Sequence, residues 1–564
     1  MSLFDDILTA RGLVGEARER FLVPDYSAGH DPFLLPDVDK AVDRLVQARA
    51  GQEQVTIYGD YDIDGLTATT VLLDAFESFG FENVDAFIPN RFVEGYGLTV
   101  DAVERIAATG ATLIVTVDCG SLSEKEIVRA KEMGVDVIVT DHHNVAPVQP
   151  PAVAVINPKR LLQDHPEAYE NYILKPDAPT ELRLYPFLDL PGVGVAFKLV
   201  QALQTRLEGL PKGQEKWLLD LVALGTVCDI VTLRDENRTH VYWGLKVLAQ
   251  TRRPGLKALM AVAGVEPDKV NARHLGFGLG PRMNAAGRLE TAQYSLDMLR
   301  ASEGMAALEA AQKLDEMNVA RRAEQDKIFK EALIQAEQYK DDPVLVVSAP
   351  GWSHGIIGIV AAKLLEKYHK PTYVLEEMGK EAKGSARSYG DFSAADAIRA
   401  SDDIITKGGG HKLAAGVTLP TVNIAAFRAR VNEFYRSQKL FNQQALLLPK
   451  ADVSVADFSA ISEQLLDELA RMEPFGSANP EPILRVESAL VLGVRCMGTE
   501  AQHVKLELRD DGGRSLQMLA FNAPPHFFVE PGEYVTVWFQ PTLNEWQGRR
   551  SVEGRLLHLE PTMR

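Results

Sequence analysis

Cysteine is scarce in this chain. Its three cysteines among 564 residues, Cys119, Cys228 and Cys496, lie far apart with no CxxC or Cys/His spacing. That argues against both a disulfide scaffold and a zinc-finger site. Long apolar runs are missing too: no uninterrupted stretch reaches the ~18 residues of a membrane span. The N-terminal MSLFDDILTARGLVGEARERF carries early acids where a signal peptide would have an apolar core. Nor is there an excess of basic residues. Lysine plus arginine number 60 against 78 aspartate plus glutamate, a formal net charge of -18, which taken alone speaks against a polyanionic partner. What is present is ordinary globular material, 46% apolar and 24% charged, so wholesale disorder is excluded. The length suggests about three or four domains. These features describe a soluble, cytosolic (cytoplasmic), multidomain protein. The acid surplus has two readings: plain solubility, or carboxylates clustered to hold divalent cations that locally reverse the field.

From about residue 50 short β-branched runs alternate with helical stretches. VTIY (55–58) precedes LTATTVLLDAFESFG; TLIVTV (112–117) precedes SEKEIVRAKEMG, which leads into VDVIVT (135–140). This spacing predicts βαβ units on a parallel sheet covered on both faces. A proline- and charge-rich stretch at about 158–190 interrupts the pattern before helical periodicity resumes in KWLLDLVALG. Residues of about 302–340 lack proline and repeat apolar side chains at Leu308, Ala311, Leu314 and Met317, predicting one long helix between two domains. A second αβ block begins at 343 and ends in the glycine run 408–410. Beyond about 445, alternating segments such as HVKLELRD and YVTVWFQP predict a small all-β barrel.

The acids fall at informative places. In YGDYDIDG, Asp60, Asp62 and Asp64 alternate directly after the strand VTIY; TLIVTV ends in Asp118-Cys119-Gly120, VDVIVT in Asp141-His142-His143, and Asp229 follows the helix of LVALGTVCDIV. Ligands of open α/β sheets bind beyond the carboxyl ends of the strands, and carboxylates crowded there repel unless cations neutralise them. An N-capping acidic turn would account for any one of these segments, but not easily for all four. Carboxylate and imidazole donors suit Mn²⁺ or Mg²⁺.

DYDIDG, VDCG, TDHH and GTVCD resemble the four motifs of the DHH phosphoesterase superfamily. FLVPDY, NRFVEGYGL, GVGVAFKLVQAL, GPRMNAAGRLE, SARS, GGGHKLAAG and MEPFGSANPEP extend the likeness, in order, to its bacterial single-strand-specific exonucleases. The resemblance implies an α/β architecture: an extension (1–50) packing on a parallel-sheet DHH catalytic domain (51–300), a long connecting helix (301–340), a smaller α/β DHHA1 domain (341–440) and an OB-fold barrel (445–564). It implies a 5′→3′ exonuclease that hydrolyses single-stranded DNA to 5′-mononucleotides in DNA repair and recombination, using two divalent cations, Mn²⁺ or Mg²⁺. Carried over by motif, Asp62, Asp64, Asp118, His142 and Asp229 are the metal ligands, with Asp118 bridging. Asp60 and His143 complete the catalytic set as direct ligands, orienting groups or transition-state contacts. Arg91, Arg282, Asn284, Arg288, Ser385, Arg387, Gly409, Gly410 and His411 would hold DNA phosphates, and Phe92 and Tyr96 would stack on bases. Each of these has a plain alternative, as surface ion pair, turn or core aromatic. The implied partners are single-stranded DNA with a 5′ end, a single-strand-binding protein and a helicase, with a monomer as the default state. The stretch 161–184 departs from the pattern in length and acidity. Two other readings remain: a DHH–DHHA1 phosphodiesterase of short oligonucleotides or cyclic dinucleotides, and an inactive DNA-binding scaffold, which would have lost the acids that this chain keeps.

Overall fold

The computed structural model describes residues 2–169, 184–438, 440, 446–546 and 548–562; most of the unusual 161–184 stretch lies outside the described residues. The chain forms two compact units, Gly29–Val231 with Asp235–Leu447, and Met1–Ala28 with Thr232–Arg234 and Leu448–Arg564.

In the larger unit, β1 (Val55–Gly59), β2 (Val84–Phe87), β3 (Leu113–Val117), β4 (Asp136–Thr140) and β5 (Ala154–Ile156) form an all-parallel sheet in the order β2-β1-β3-β4-β5. β1 and β3 are buried along their whole length, which is why both read as nearly unbroken runs of aliphatic and β-branched residues. One face is covered by helices Val100–Ala108 and Glu124–Glu132, whose Val103, Ile106 and Ile127 join Tyr58, Ile114 and Val137 in a common core. The other carries helix Ile63–Ser78, on which Gly192–Leu203 and Leu219–Cys228 pack. The last two are apolar almost all round, as enclosed helices must be. The strand order reverses between β1 and β3, the switch point at which such sheets open a crevice.

A single 35-residue helix, Gly304–Gln338, leads onward. Its buried stripe runs Ala307, Ala311, Leu314, Met317, Arg321, Gln325, Ile328, Ala332 and Ala336. Leu308, expected in that stripe, is 36% exposed: it lies one residue, and so about 100°, away from the row defined by Ala307 and Ala311. The helix ends against a second sheet, β6 (Leu345–Pro350), β7 (Thr372–Met378), β8 (Glu381–Arg387), β9 (Lys407–Gly410) and β10 (Ala414–Pro420), ordered β6-β7-β8-β10-β9. Only the β6/β7 pair is parallel. Helix Ile357–Tyr368 and the end of the connecting helix cover one face, and Phe392, Ile398, Phe427 and Val431 the other.

The smaller unit is a barrel. β11 (Val453–Val455), β12 (Leu484–Met497), β13 (His503–Arg509), β14 (Ser515–Ala520), β15 (Tyr534–Trp546) and β16 (Arg549–Pro561) are ordered β11-β12-β13-β14-β16-β15, and a β12–β15 pairing closes five of them. The expected 1–50 extension divides here. Gly29–Ala50 belongs to the parallel-sheet unit, whereas residues 1–28 belong to the barrel's. Helix Leu3–Ala10 puts Phe4, Ile7 and Leu8 into the barrel core beside Leu469 and Met472, and Arg11 pairs with Asp452 at 2.7 Å. The short amphipathic helix follows its own apolar face.

Candidate metal centre

Three adjacent strands deliver their next residues to one edge. Past β1, Asp62 caps helix Ile63–Ser78 by accepting the Gly65 N–H at 3.1 Å, and Asp60 and Asp64 are buried on either side of it. Past β3, Asp118 takes a left-handed conformation (φ 62), unusual for a residue with a side chain and typical of functional loops. Past β4 come Asp141, His142 and His143, and Asp229 closes the group from the end of helix Leu219–Cys228.

Fixed dipoles and tight packing hold these groups. The N-terminal N–H groups of helix Gly192–Leu203 meet the Asp64 carboxylate, Gly192 at 2.6 Å and Val193 at 2.8 Å, using the positive end of the helix. Residue 192 must be glycine for that approach, because a Cβ there would lie 2.6 Å from Asp118 Cβ. Asp141 faces inward for a different purpose. It accepts N–H bonds from Ser121, His142 and His143, and binds His143 Nδ1 at 2.9 Å. Burial alone would raise its pKa, but the histidines and these donors outweigh it and hold the carboxyl below its usual range. Asp141 is thus the brace of the histidine pair. Buried Asn157, which the sequence reading missed, completes the brace by donating to Ser121 Oγ at 2.8 Å and to the His143 carbonyl at 3.0 Å.

The remaining acids have too few partners. Ligand atoms of Asp64, His142 and Asp229 lie within 4.8 Å of one another, as do those of Asp60, Asp62 and Asp118, and those of Asp118, His142 and His143. Asp118 belongs to two of these groups. His142 Nε2 stands 3.1 Å from Asp118 Oδ1, 3.6 Å from Asp229 and 3.7 Å from Asp64. Yet His142 Nε2, Asp118 Oδ1 and Asp60 Oδ1 are buried with no hydrogen-bond partner among the described residues. Leaving one such atom unsatisfied costs on the order of 1–3 kcal/mol, so three at one locus call for a ligand. Burial and the charge of Asp62 push Asp64 up to about 7. Burial and the charges of Asp64 and Asp62 push Asp229 up to about 8; Asp60 and Asp118 are raised for the same reasons. Burial, then neighbouring His143, lowers His142 to about 3, so its imidazole is neutral. Oxygen donors that repel one another, a neutral imidazole and orphaned buried atoms are a donor set that fits divalent cations.

Residues 54–226 match the DHH family N-terminal domain, 341–437 the DHHA1 domain and 452–558 the RecJ OB domain. The single-stranded-DNA-specific exonuclease RecJ of Salmonella typhimurium is 34% identical over 544 residues, 92% of this chain and 89% of that protein. The chain belongs to the RecJ family. RecJ of Bacillus subtilis is 36% identical over 97% of this chain; the match spans 66% of that longer protein. Among solved structures, RecJ of Thermus thermophilus in complex with Mn²⁺ gives a TM-score of 0.80 at 28% identity, covering 100% of this chain and 76% of that one. Its complex with Mg²⁺ gives 0.75 at 27% identity, covering 100% and 75%.

Beside the centre lies a group of cations. Tyr61, between Asp60 and Asp62, carries the Arg91 guanidinium 4.1 Å above its ring, and Gly287 approaches its carbonyl so closely that a Cβ would stand 3.2 Å away. One residue on, Arg288 donates to the Gly355 carbonyl at 3.0 Å. Burial and the like charges of Arg91, Arg321 and Arg387 lower it to about 10. Arg387 bonds Ser385 Oγ and the Ala386 carbonyl; Arg321 bonds Asn318 and Gln325. Among the described residues no carboxylate pairs with any of the four. Arg321 is buried in the connecting helix, and its helical position gave no sign of this role. Ser385 and Arg387 also face the start of helix Ile357–Tyr368, where a Cβ on Gly358 would stand 2.9 Å from Ser385 Oγ and 3.1 Å from the Arg387 guanidinium.

The other expected residues are placed differently. Arg282 spends its guanidinium on Asp315 (2.8 Å) and the Gly278 carbonyl (2.7 Å), so it ties helix Gly280–Leu289 to the connecting helix. Asn284 lies one turn before Arg288 on the same helix. Gly409 shares a row with Gly416 and Ser385 across β9, β10 and β8; Gly410 adopts φ 136, and His411 follows on the exposed edge, its N–H donating to Ala414. Phe92 packs on His354 (ring centroids 4.9 Å). Tyr96 is 54% exposed and reaches His143 Nδ1 with its hydroxyl at 3.2 Å.

Proposed function

We propose that this chain is a divalent-cation-dependent exonuclease that removes 5′-mononucleotides from the 5′ end of single-stranded DNA, in DNA repair and recombination. One observation carries the reading: four guanidinium groups with no carboxylate partner among the described residues stand beside a carboxylate–imidazole centre, with Arg91 lying over Tyr61 between Asp60 and Asp62. Arg91, Arg288, Arg321 and Arg387 would receive a terminal phosphate, while Asp62, Asp64, Asp118, His142 and Asp229 would hold the cations that act on the phosphodiester. Two bound cations, Mn²⁺ or Mg²⁺, supply activation of water and neutralisation of charge building on the phosphate oxygens.

The protein's own groups do the rest. Asp141 binds His143 and, against the penalty of burial, keeps it charged with a pKa pushed up to about 9, so an imidazolium faces the negative charge that develops on phosphate. Asp60, buried beside Asp62 and Asp118, contributes its unpartnered oxygen to the same cluster. The acidic surface is no obstacle to a DNA substrate, because binding follows a local basic path. Among the described residues no helix is long and apolar enough to cross a membrane, in keeping with a cytoplasmic enzyme. The chain works as a monomer on strands that a helicase exposes and a single-strand-binding protein coats.

Substrate form tests this. With Mn²⁺, a single strand of several tens of nucleotides should be degraded far faster than a blunt duplex of the same sequence. Comparable rates on the two would contradict the reading, and activity confined to di- to pentanucleotides would transfer the chain to the short-oligonucleotide branch.

A further inference from the structure

Two large apolar side chains stand in solvent on segments that pack against the helix leading to Asp229, and each sits on unusual backbone. Ile230, directly after Asp229, is 74% exposed with φ 61. A β-branched residue in that conformation is strained, and an exposed side chain recovers nothing from core packing. Phe277 is 80% exposed at the middle of a π-helical turn, Leu275–Leu279, flanked by Gly276 and Gly278. Such turns concentrate at functional sites.

The two segments are packed together and against residues next to the acids in the chain. Cys228 Sγ contacts the Leu275 carbonyl at 3.7 Å. A Cβ on Gly280 would stand 2.7 Å from Cys228 Sγ and 3.3 Å from Ile63 Cδ1, and Ile63 lies between Asp62 and Asp64. Arg282 pins the turn through the Gly278 carbonyl at 2.7 Å. Arg273 lies 5.8 Å from the Phe277 ring, a cation beside an aromatic face. The π turn therefore rests on the backbone that carries Asp62, Asp64 and Asp229, and holds its one aromatic side chain outward.

We propose that Ile230 and Phe277 form a rest for the nucleobases next to the scissile phosphate, with Phe277 stacking on a base and Ile230 packing at its edge. This positioning role rests on the exonuclease reading. A strand whose phosphodiester is held at the carboxylates must lay adjacent bases near them, and every base has a face that stacks on an aromatic ring, so the rest is indifferent to sequence.

The test compares 5′-phosphorylated single strands that are intact or abasic at the nucleotides flanking the first scissile bond. Wild-type protein with Mn²⁺ should show a KM roughly tenfold higher for the abasic strand, with kcat little changed. In F277A and in the I230A/F277A double variant the two strands should give nearly the same KM, and F277W should restore the difference. Both side chains are exposed, and unchanged melting of the variants verifies folding. Wild-type protein that cuts both strands with equal KM overturns this inference alone, as does F277A that keeps the wild-type ratio. Wild-type protein that leaves the intact strand uncut overturns the exonuclease reading and the base rest with it.

Discussion

Replacing Asp118 by Asn is expected to slow hydrolysis by at least about 10³-fold and, in the same protein, to raise the melting temperature of the metal-free form. The two effects have one cause. Asp118 lies 3.1 Å from His142 Nε2, belongs both to the group with Asp60 and Asp62 and to the group with His142 and His143, and keeps a buried oxygen without a hydrogen-bond partner among the described residues. It is therefore the group best placed to serve two cations. Without cations the same carboxylate is a liability, since burial and the charges of Asp64, Asp62, Asp60 and Asp229 all oppose its ionisation. The pH dependence follows in sign. Asp64 and Asp229 have native-state pKa values raised to about 7 and about 8, above their unfolded values. Their contribution to stability is complete below the unfolded pKa and is lost as pH rises through the native one. From about pH 5 to about pH 8 the metal-free protein should lose stability on the order of a few kcal/mol. Mn²⁺ should restore it, most strongly at the upper end, and D118N should flatten both trends. Melting curves in EDTA and in Mn²⁺ across that range, with turnover measured alongside, check the account. A melting temperature at pH 8 that ignores both Mn²⁺ and the substitution would contradict it.

The second large effect concerns the strand's end. Arg387→Ala is expected to reduce kcat/KM on 5′-phosphorylated single strands by roughly 10- to 100-fold, the worth of one charge-assisted phosphate contact, and much less on 5′-hydroxyl strands. Arg387 is the cleanest member of the cluster to remove. Among the described residues its bonds reach Ser385 and Ala386 within its own strand, whereas Arg288 supports the Gly355 carbonyl. Lysine should not restore the loss, because an ammonium lacks the planar fork. The free protein should not suffer, since Arg387 is one of the like charges that depress Arg288. Equal losses on both strand types would mean that Arg387 acts through the fold and not on the terminal phosphate.

Much of this was legible in the sequence because it lies at boundaries. A strand that ends in DCG or DHH announces which residues leave the sheet at its carboxyl edge, and the alternation in DYDIDG marks a turn. The proline-free run after residue 302 emerges as helix Gly304–Gln338, and the alternating C-terminal segments close into a barrel. What stayed hidden depends on neighbours distant in sequence. Arg321 reads as one more charge on a solvated helix until burial places it with Arg288. Asn157 reads as a cap, which it also is, accepting the Lys159 N–H, yet it braces His143. His354, in GWSHGIIG, shows its place only through Phe92 and through Glu376, 2.8 Å from its Nδ1. Arg282 shows the reverse: a motif arginine whose charge is already met by Asp315. The N-terminal residues follow the same logic. Phe4, Ile7 and Leu8 define an apolar face plainly, but nothing local tells that face which core to join.

The central claim is most directly tested by one strand carrying its label at either end. Single-stranded DNA labelled at the 5′ end in one sample and at the 3′ end in another is incubated with Mn²⁺ or with EDTA. The account predicts immediate release of labelled mononucleotide from the 5′-labelled strand, stepwise shortening of the 3′-labelled strand, and neither in EDTA. Stepwise shortening of the 5′-labelled strand, or digestion that persists in EDTA, would contradict it.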